Sequence, residues 1–505
     1  MIEARDASPR VVPSSTPPVA APGVTAFCTR HFAALACVVL ALTAFNLTFR
    51  LGHEFLTEWD ESLYATTASE ALDGGHWIGT TFQGALDYYN TKPPLNVWLI
   101  ALSLKLFGNG LVALRLTSVL SAWLTVLVLL LWTRRVLGPA VALASGLVLA
   151  TSFGFIHIHA GRSANTDALF TLLVLLTVVV LWAERERPWM RAWLGPILAA
   201  TFLLRGMAVL MPLVIVAIVW VLARDKRART WRPALVGLVL FALPVGAWMI
   251  ARFRVDRWAF LDRLFFYDFV ARTSTVIEDH PGGPLFYLNI LQKHQFDWLI
   301  AGAAALLLAP IPWTRVRAFL ARPRQSAVAV LFLAWTAVTL IEPTLMRTKL
   351  PWYLNSFYPA FAIGVGALVV RGLAERARLP RAWRVRALAM VCVLAFGVAE
   401  GKLIWYSFVY RDLALSDQSL VLAETTSLAG HRVYRDQSDR AGAFVTSRLA
   451  GAQVGYAASA ESFLQDSAPG DYLVVAQSLS HPALELVRSS GRYRLYRHLR
   501  TRGMR

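Results

Sequence analysis

Two adjacent acids, Asp60 and Glu61, stand in a Trp-Asp-Glu-Ser-Leu-Tyr segment that closely follows the first long apolar run. Residues 65–72 are mostly helix formers, so Asp60 falls at a helix start, where unpaired N–H groups and the helix dipole favour a carboxylate. One interpretation is that Asp60 only caps this helix. The other is that a carboxylate fixed there accepts a proton from a hydroxyl group held beside it. Both stay open on these residues.

Two cations are candidates for binding an anionic group. Lys92 precedes Pro93 and Pro94, which suit the start of the apolar helix predicted over 96–107. Its ammonium either meets an anionic group at the membrane surface or is an ordinary snorkelling lysine. Arg205 lies between two apolar runs, where a charge is costly unless it is paired or reaches the interface. The stretch 54–108, which holds the acids and Lys92, is where we expect chemistry first.

The composition is that of an integral membrane protein. Of 505 residues, 56% are hydrophobic and 16% charged, and the mean hydropathy is +0.51. The formal net charge is +19, but the arginines cluster between apolar runs of roughly 17–22 residues, about one bilayer thickness. That arrangement indicates membrane topology and contact with anionic lipids, and it argues against a nucleic-acid partner. The three cysteines have no disulfide or metal spacing.

These elements predict an all-α polytopic protein with about eleven transmembrane helices, followed by a small α/β domain. Residues 1–30 are predicted to be a disordered tail, and 31–403 the transmembrane domain. The first apolar run resembles either an uncleaved helix, which we favour, or a signal peptide. The runs are 32–49, 111–132, 138–156, 166–182, 192–204, 207–222, 234–251, 298–312, 326–342, 352–370 and 386–403.

The distribution of lysine and arginine predicts the orientation. The basic connections and the N-terminus are expected in the cytoplasm, in a cell inner membrane. The connections 50–110, 155–165, 252–297 and 343–351, with the tight turn near Arg205, are then expected outside. The tail, 404–505, follows an odd number of spans and is expected outside too, with strands within 431–436, 471–478 and 493–499 and a helix over 483–489.

Several motifs together resemble one family. They are Asp60-Glu61-x-x-Tyr64-Ala65, Lys92-Pro93-Pro94-Leu95 with Trp98, Phe107-Gly108, Arg115-Leu116, Gly161-Arg162 through Asp167, Glu278-Asp279-His280-x-x-Gly283-Pro284-x-x-Tyr287, and Lys349-Leu-Pro-Trp-Tyr353 with Pro359. In this order, over roughly 50–360, they resemble the protein-mannosyltransferase and lipid A aminoarabinose-transferase group. These are polytopic glycosyltransferases of the GT-C class. Residues 404–505 carry no such resemblance.

The resemblance implies inverting transfer of a sugar from a polyprenyl-phosphate donor to a lipid, glycan or protein acceptor on the non-cytoplasmic side. It implies that Asp60, in the outer loop 50–110, is the general base. One base suffices for inversion, whereas a phosphate leaving group needs cations. Lys92 and Lys349 match the family motifs and come first as phosphate-binding residues, before Arg205, Arg162 and Arg347. The acceptor and pocket residues implied are Glu61, Tyr64, Tyr88, Tyr353 and Asp167, although a helix start alone also explains Asp167.

The chain departs from the family in one motif. Aminoarabinose transferases usually carry an acid before the Lys-Pro-Pro, associated with a metal site, and this chain has Thr91 there. A divalent metal ion is therefore only a possible cofactor, with Glu278 and His280 as its candidate ligands, and a solvated outer loop is the alternative. The rival functions are a lipid-carrier transporter or flippase, which would need charges along a path, and an envelope scaffold that acts through 404–505.

Overall fold

The structure is a computed structural model that describes residues 23–223, 231–276, 280–308, 311, 314, 317, 327–375 and 382–500. Most of the described chain is helical. The helices of the first half are α1 Gly23–Arg30, α2 Phe32–Thr48, α3 Asp60–Gly74, α4 Leu95–Phe107, α5 Leu111–Leu137, α6 Pro139–Ala150, α7 Phe153–His157, α8 Asp167–Ala183, α9 Leu194–Arg205, α10 Leu210–Ala223 and α11 Trp231–Asp256.

The second half continues with two short helices, four long ones and the helices of the terminal domain. They are α12 Ala259–Asp262, α13 Arg272–Ser274, α14 Phe286–Leu308, α15 Ala327–Leu345, α16 Tyr358–Glu375, α17 Ala382–Val409, α18 Gln418–Ala423, α19 Thr425–Leu428, α20 Arg440–Phe444 and α21 Ala460–Asp466. Short 3₁₀ or π helices join or extend these helices at Leu51–His53, Pro188–Trp193, Gly206–Val209, Arg263–Ala271, Pro351–Phe357, Leu413–Leu415 and Val445–Leu449.

The chain is a multi-pass membrane protein. Among the described residues, seven segments are long and apolar enough to cross a bilayer, and α4, α6 and α8 are shorter apolar helices. The predicted total of eleven spans is therefore not confirmed. The helix breaks after Arg205, because Gly206, at φ +57°, begins a short 3₁₀ segment between α9 and α10. One of the seven segments, Pro188–Leu222, runs across this break, so the two separate spans predicted here are not confirmed.

The N-terminal prediction is wrong for residues 23–30, which form α1 instead of a disordered tail. This helix packs against α2 and α6, so tertiary contacts stabilise a segment too short to be helical alone. The remainder of the predicted tail, residues 1–22, lies outside the described residues.

The C-terminal residues form an α/β domain around a five-stranded sheet in the order β4-β3-β5-β7-β6. The first two strands, β1 Thr81–Phe82 and β2 Ala85–Leu86, form a separate short hairpin between α3 and α4. Strands β3 Arg432–Arg435, β5 Tyr472–Val475 and β7 Tyr493–His498 confirm the three predictions, and β4 Gln453–Tyr456 was missed. The helix predicted over 483–489 is wrong: Leu484–Ser490 is strand β6, antiparallel to β7. Only Gly491 and Arg492 join the two strands, and Gly491, at φ +54°, suits a two-residue hairpin turn, so pairing overrides the helix-forming composition.

The membrane helices approach closely where glycines face each other. A Cβ atom on Gly195 of α9 would lie 2.1 Å from the carbonyl oxygen of Gly237 on α11, whereas one on Gly246 would meet nothing within 4 Å. Small residues let helix backbones come together in a bilayer, where van der Waals packing drives association. Contact between α9 and α11 therefore depends on Gly195.

We expect Gly195→Ala to destabilise the protein by about 1–3 kcal/mol, since the added methyl group must push the two helices apart. The measurement is the midpoint of thermal unfolding in detergent. Gly246→Ala is the matched control, because Gly246 lies on the partner helix α11 but has no close neighbour, and it should leave the midpoint unchanged or slightly higher. Equal midpoints for both variants would contradict the close packing of this crossing.

Candidate active site

One cavity of about 820 Å³ collects residues from each of the connections predicted to share one side of the membrane. It is bounded by the loop before α3, the residues before α4, the segment before α8, the end of α9 and the loops around α13 and after α15. Its polar and aromatic lining is Glu58, Trp59, Asp60, Tyr89, Asn90, Thr91, Lys92, His159, Thr166, Asp167, Phe170, Arg205, Asp268, Thr273, His280, Glu342, Trp352, Tyr353 and Arg440. These connections therefore meet at one site.

Asp60 is held at the cavity wall by an unusual backbone. It is the first residue of α3 rather than its cap, and the preceding Trp59 has φ +67°. A non-glycine residue in that region stores about 1–3 kcal/mol of strain. The Asp60 side chain keeps 35% of its surface exposed, and one of its oxygens lies 4.0 Å from Nδ1 of His159. The carboxylate is thus fixed and still accessible.

Glu61, the other acid of the pair, points the opposite way into a buried network. Its carboxylate binds Nε of Arg115 at 2.8 Å and accepts the backbone N–H groups of Ala164 at 3.0 Å and Thr57 at 2.9 Å. Burial opposes ionisation, but Arg115 outweighs it and lowers the pKa of Glu61 to about 2. Glu61 was predicted to line the pocket; instead it anchors the start of α3, and removing Arg115 would cost about 3–5 kcal/mol.

Arg162 belongs to the same network and is absent from the cavity lining, against the prediction that it binds a phosphate. Its guanidinium is 2.6 Å from Oε1 of Glu54 and donates to the carbonyls of Asn46 and Phe49, both at 2.6 Å. Only 2% of the side chain is exposed. Arg162 therefore ties the end of α2 to the segment before α8.

Lys92 and Arg205 are the predicted cations that do line the cavity. Arg205 ends α9 and forms an ion pair of 2.6 Å with Asp167, the first residue of α8. Its guanidinium also lies 5.8 Å from the ring of Tyr353. Asp167 and Tyr353 line the cavity as predicted, and the ion pair gives Asp167 a partner beyond the helix dipole.

Lys349 and Arg347 do not line the cavity, so the structure gives no support to their phosphate-binding role. The Lys349 ammonium donates to the carbonyls of Pro343, Thr344 and Met346, with 2.6 Å to Thr344. Carbonyls at a helix end lack partners within the helix, and Lys349 supplies one at the end of α15. Arg347 is exposed to solvent outside the cavity.

The tyrosines are distributed differently from the prediction. Tyr64 is buried, and its ring lies 5.8 Å from Nζ of Lys92 behind the cavity wall. Tyr88 points away, whereas its neighbour Tyr89 lines the cavity. The Asp87 carboxylate accepts the backbone N–H of Tyr89 at 2.9 Å, a local turn that sends the two rings in different directions.

Of the two proposed metal ligands, only His280 lies among the described residues. His280 lines the cavity, while Glu278 lies outside the described residues. Within the part of the chain that the structure describes, no three His, Cys, Asp or Glu side chains form a group that fits a metal ion. We therefore derive no step through a metal.

Sequence reasoning missed two parts of the site. His159 stacks on Trp352 with ring centroids 3.7 Å apart, and Asn165 donates to its Nδ1 at 3.0 Å. Burial lowers the pKa of His159 against the opposing effect of Asp60, so the ring is neutral at neutral pH. The Gly161–Asp167 motif lies close to His159 in the sequence, but only the fold shows that His159 lies beside Asp60.

The C-terminal domain supplies the other missed part. Arg440, at the start of α20, lines the cavity beside Glu58. The Glu58 carboxylate accepts the backbone N–H of Ala441 at 3.3 Å, which docks this domain on the first outer loop. No sequence signal connects positions almost 400 residues apart.

Known proteins resemble the chain in sequence and fold. Residues 91–250 match the family model of the dolichyl-phosphate-mannose-protein mannosyltransferases. An undecaprenyl phosphate-α-4-amino-4-deoxy-L-arabinose arabinosyl transferase of Pseudomonas fluorescens is 31% identical over 343 residues, which is 66% of this chain and 56% of the relative. The match thus spans little more than half of that relative.

Solved structures show the same fold across nearly the whole chain. ArnT from Cupriavidus metallidurans, bound to undecaprenyl phosphate, has a TM-score of 0.65 at 16% identity, covering 92% of this chain and 97% of that one. The oligosaccharyltransferase AglB from Archaeoglobus fulgidus, in complex with a peptide and a dolichol-phosphate, has a TM-score of 0.55 at 13% identity, covering 83% and 64%.

The chain has the fold of a polytopic membrane protein with a cavity at one end of its helices, and it shares this fold with the solved ArnT and AglB structures. The sequence matches show that the chain is similar to the protein mannosyltransferases over residues 91–250 and to the aminoarabinose transferases over 343 residues. The family resemblance seen in the motifs is thereby confirmed.

The raised pKa of Glu58 predicts that docking of the C-terminal domain on the first outer loop depends on pH. Burial, followed by the nearby charge of Asp439, raises the pKa of Glu58 from 4.5 to about 7. The folded state then binds this proton more tightly than the unfolded chain, so its contribution is complete below about pH 4.5 and is lost as the pH rises through about 7. We expect docking to weaken between pH 5 and 8, seen as faster hydrogen exchange of residues 439–445 after correction for the intrinsic rate.

Glu58→Gln should remove this pH dependence, because the amide stays neutral throughout. Glu461→Gln alters an exposed acid of the same domain and should behave like the unmodified protein. A pH dependence that persists in Glu58→Gln would assign the effect to another group.

Proposed function

We propose that the protein is an inverting glycosyltransferase that moves a sugar from a polyprenyl-phosphate donor to an acceptor hydroxyl group at the membrane surface. The observation that carries this proposal is the cavity in which the accessible carboxylate of Asp60, fixed at the start of α3, faces the same space as the cations Lys92 and Arg205. A base for the acceptor and positive charge for the leaving phosphate are the two requirements of this reaction.

Asp60 acts as the general base. The acceptor oxygen attacks the anomeric carbon while its proton passes to the Asp60 carboxylate. The bond between the anomeric carbon and the phosphate oxygen breaks on the opposite face, and the phosphate keeps the electron pair. Neutral His159, 4.0 Å from Asp60, adds no charge that would lower the basicity of the carboxylate. A single displacement needs no second carboxylate as nucleophile.

The donor phosphate binds beside Lys92 and Arg205. The lipid carried by the solved ArnT structure is undecaprenyl phosphate, which supports this class of donor. Because Asp167 neutralises part of the Arg205 charge, the phosphate needs Lys92 as a second cation. Preorganised cations stabilise the charge that develops on the leaving phosphate without reorganising during the reaction.

The protein lies in the cell inner membrane, with the cavity and the C-terminal domain on the periplasmic side and the N-terminus in the cytoplasm. The distribution of basic residues supports this orientation. Arg134 and Arg135 end α5, whose first turn holds Arg115 below the cavity. At about 1.5 Å per residue, this helix is long enough to cross the bilayer between them.

We expect Asp60→Asn to lower the transfer rate by about 10²–10⁴-fold, the usual contribution of a general base, with folding and donor binding intact. Lipid mass spectrometry of membranes from cells with and without the variant should find an accumulated polyprenyl-phosphate sugar and a missing glycosylated product. Glu461→Gln, which changes an exposed acid outside the cavity, is the matched control. Identical lipid profiles for Asp60→Asn would favour the transporter or scaffold functions.

The divalent ion of Glu278 and His280 stays a separate prediction. If these residues hold an ion that the reaction needs, a chelator should abolish transfer, added metal should restore it, and elemental analysis of the purified protein should find about one ion per chain. His280→Ala should lower that ion content. Full activity in the chelator, with no bound metal, would dismiss an essential ion.

A further inference from the structure

The C-terminal domain contributes one positive charge to the cavity. Arg440 follows Asp439, whose carboxylate caps α20 by accepting the backbone N–H of Gly442 at 2.8 Å. The cap fixes the first turn of α20 against the loop before α3. Arg440 therefore reaches the cavity beside Trp59, the residue immediately before Asp60.

Aromatic rings hold the Arg440 guanidinium in position. Its central carbon lies 4.8 Å from the ring centroid of Trp59, 5.5 Å from that of Phe82 and 5.7 Å from that of Tyr89. Aromatic faces attract a cation through their quadrupole and leave its N–H donors unused. The rings therefore orient the charge without neutralising it.

The hydrogen-bonding capacity of Arg440 is left incomplete. Its Nη1 atom is buried and has no hydrogen-bond partner in the described part of the chain, where no carboxylate forms an ion pair with it either. Buried polar nitrogens are nearly always satisfied, and an exception needs an explanation. Arg205 differs, because Asp167 already pairs with it.

Docking of the domain does not explain this arrangement, because other contacts provide it. Gln418 exchanges two hydrogen bonds of 2.8 Å with the backbone of Leu56. Glu58 binds the backbone of Ala441, and Arg448 pairs with Asp73. An apolar side chain at position 440 would pack on the same rings.

We propose that Arg440 binds an anionic group, a phosphate or a carboxylate, that the acceptor carries near its reacting hydroxyl group. This inference rests on the proposed function, since the acceptor must lie beside Asp60. The donor phosphate already has Lys92 and Arg205, so the charge next to Trp59 serves the second substrate. The C-terminal domain thereby selects the acceptor, while the membrane helices hold the donor and the base.

The test uses the full-length protein in detergent with the donor site filled by undecaprenyl phosphate. The probes are N-acetylglucosamine 1-phosphate and glucuronic acid as anionic sugars, with N-acetylglucosamine and glucose as their neutral counterparts. Calorimetry measures binding to the unmodified protein, Arg440→Gln, Arg440→Lys and Arg448→Gln. The last variant weakens a docking contact outside the cavity and is the matched control.

We expect the unmodified protein and Arg448→Gln to bind at least one anionic probe about tenfold more tightly than its neutral counterpart, the size of a charge-assisted hydrogen bond. Arg440→Gln should lose this preference, Arg440→Lys should keep part of it, and the affinity for undecaprenyl phosphate should not change. The phosphate and carboxylate arms identify which anion is preferred.

The proposal is overturned if the unmodified protein shows no preference for either anion, or if Arg440→Gln retains it. It is also overturned if Arg440→Gln and Arg448→Gln lose binding of neutral and anionic probes alike, since that outcome makes Arg440 a docking contact. Failure of the proposed function looks different: Asp60→Asn would leave the lipid profile unchanged even though anion binding still depended on Arg440.

Discussion

The buried ion pair between Glu61 and Arg115 is the contact on which the site depends. Neither charge is exposed to water, so each needs the other, and additional hydrogen bonds must satisfy the remaining atoms. Arg115 uses them on the carbonyls of Leu51 and Glu54, and Glu61 on the backbone of Thr57 and Ala164. One pair thus fixes four segments, and the first residue of α3 emerges from them at a set position.

Helix geometry gives the two adjacent acids, Asp60 and Glu61, different environments and therefore different roles. Successive residues of a helix point about 100° apart, so when Glu61 is directed into the core, Asp60 turns toward the cavity. Their environments follow: Arg115 keeps Glu61 ionised and unavailable, whereas Asp60 remains accessible beside a neutral His159. The strained backbone of Trp59, immediately before Asp60, lies where these two environments meet. Strain of this kind persists only where surrounding contacts determine the conformation, and here the ion pair below and the Arg440 stack above provide those contacts.

Sequence patterns predicted the parts of the fold that local physics controls. Apolar runs marked the membrane helices, alternating residues marked three strands, and the basic clusters grouped the connections that meet at the cavity. The site was harder. The candidate cations look alike in the sequence, yet Lys349 caps α15 and Arg162 pairs with Glu54. Of the five predicted cations, only Lys92 and Arg205 line the cavity. The distinction depends on partners distant in sequence, which composition and spacing do not encode.

The membrane domain and the C-terminal domain present their charged side chains differently, because their surroundings differ. A charge within the membrane region must be paired, as Arg205 is with Asp167, because hydrocarbon offers no other partner. Such a pair holds its charges in fixed positions, which suits Arg205 in its proposed role as a donor cation. A domain outside the membrane is free of that constraint, so it can present Arg440 without a paired carboxylate. If Arg440 binds the acceptor as proposed, changes in that domain alter which acceptor approaches Asp60 without disturbing the ion pairs that support it.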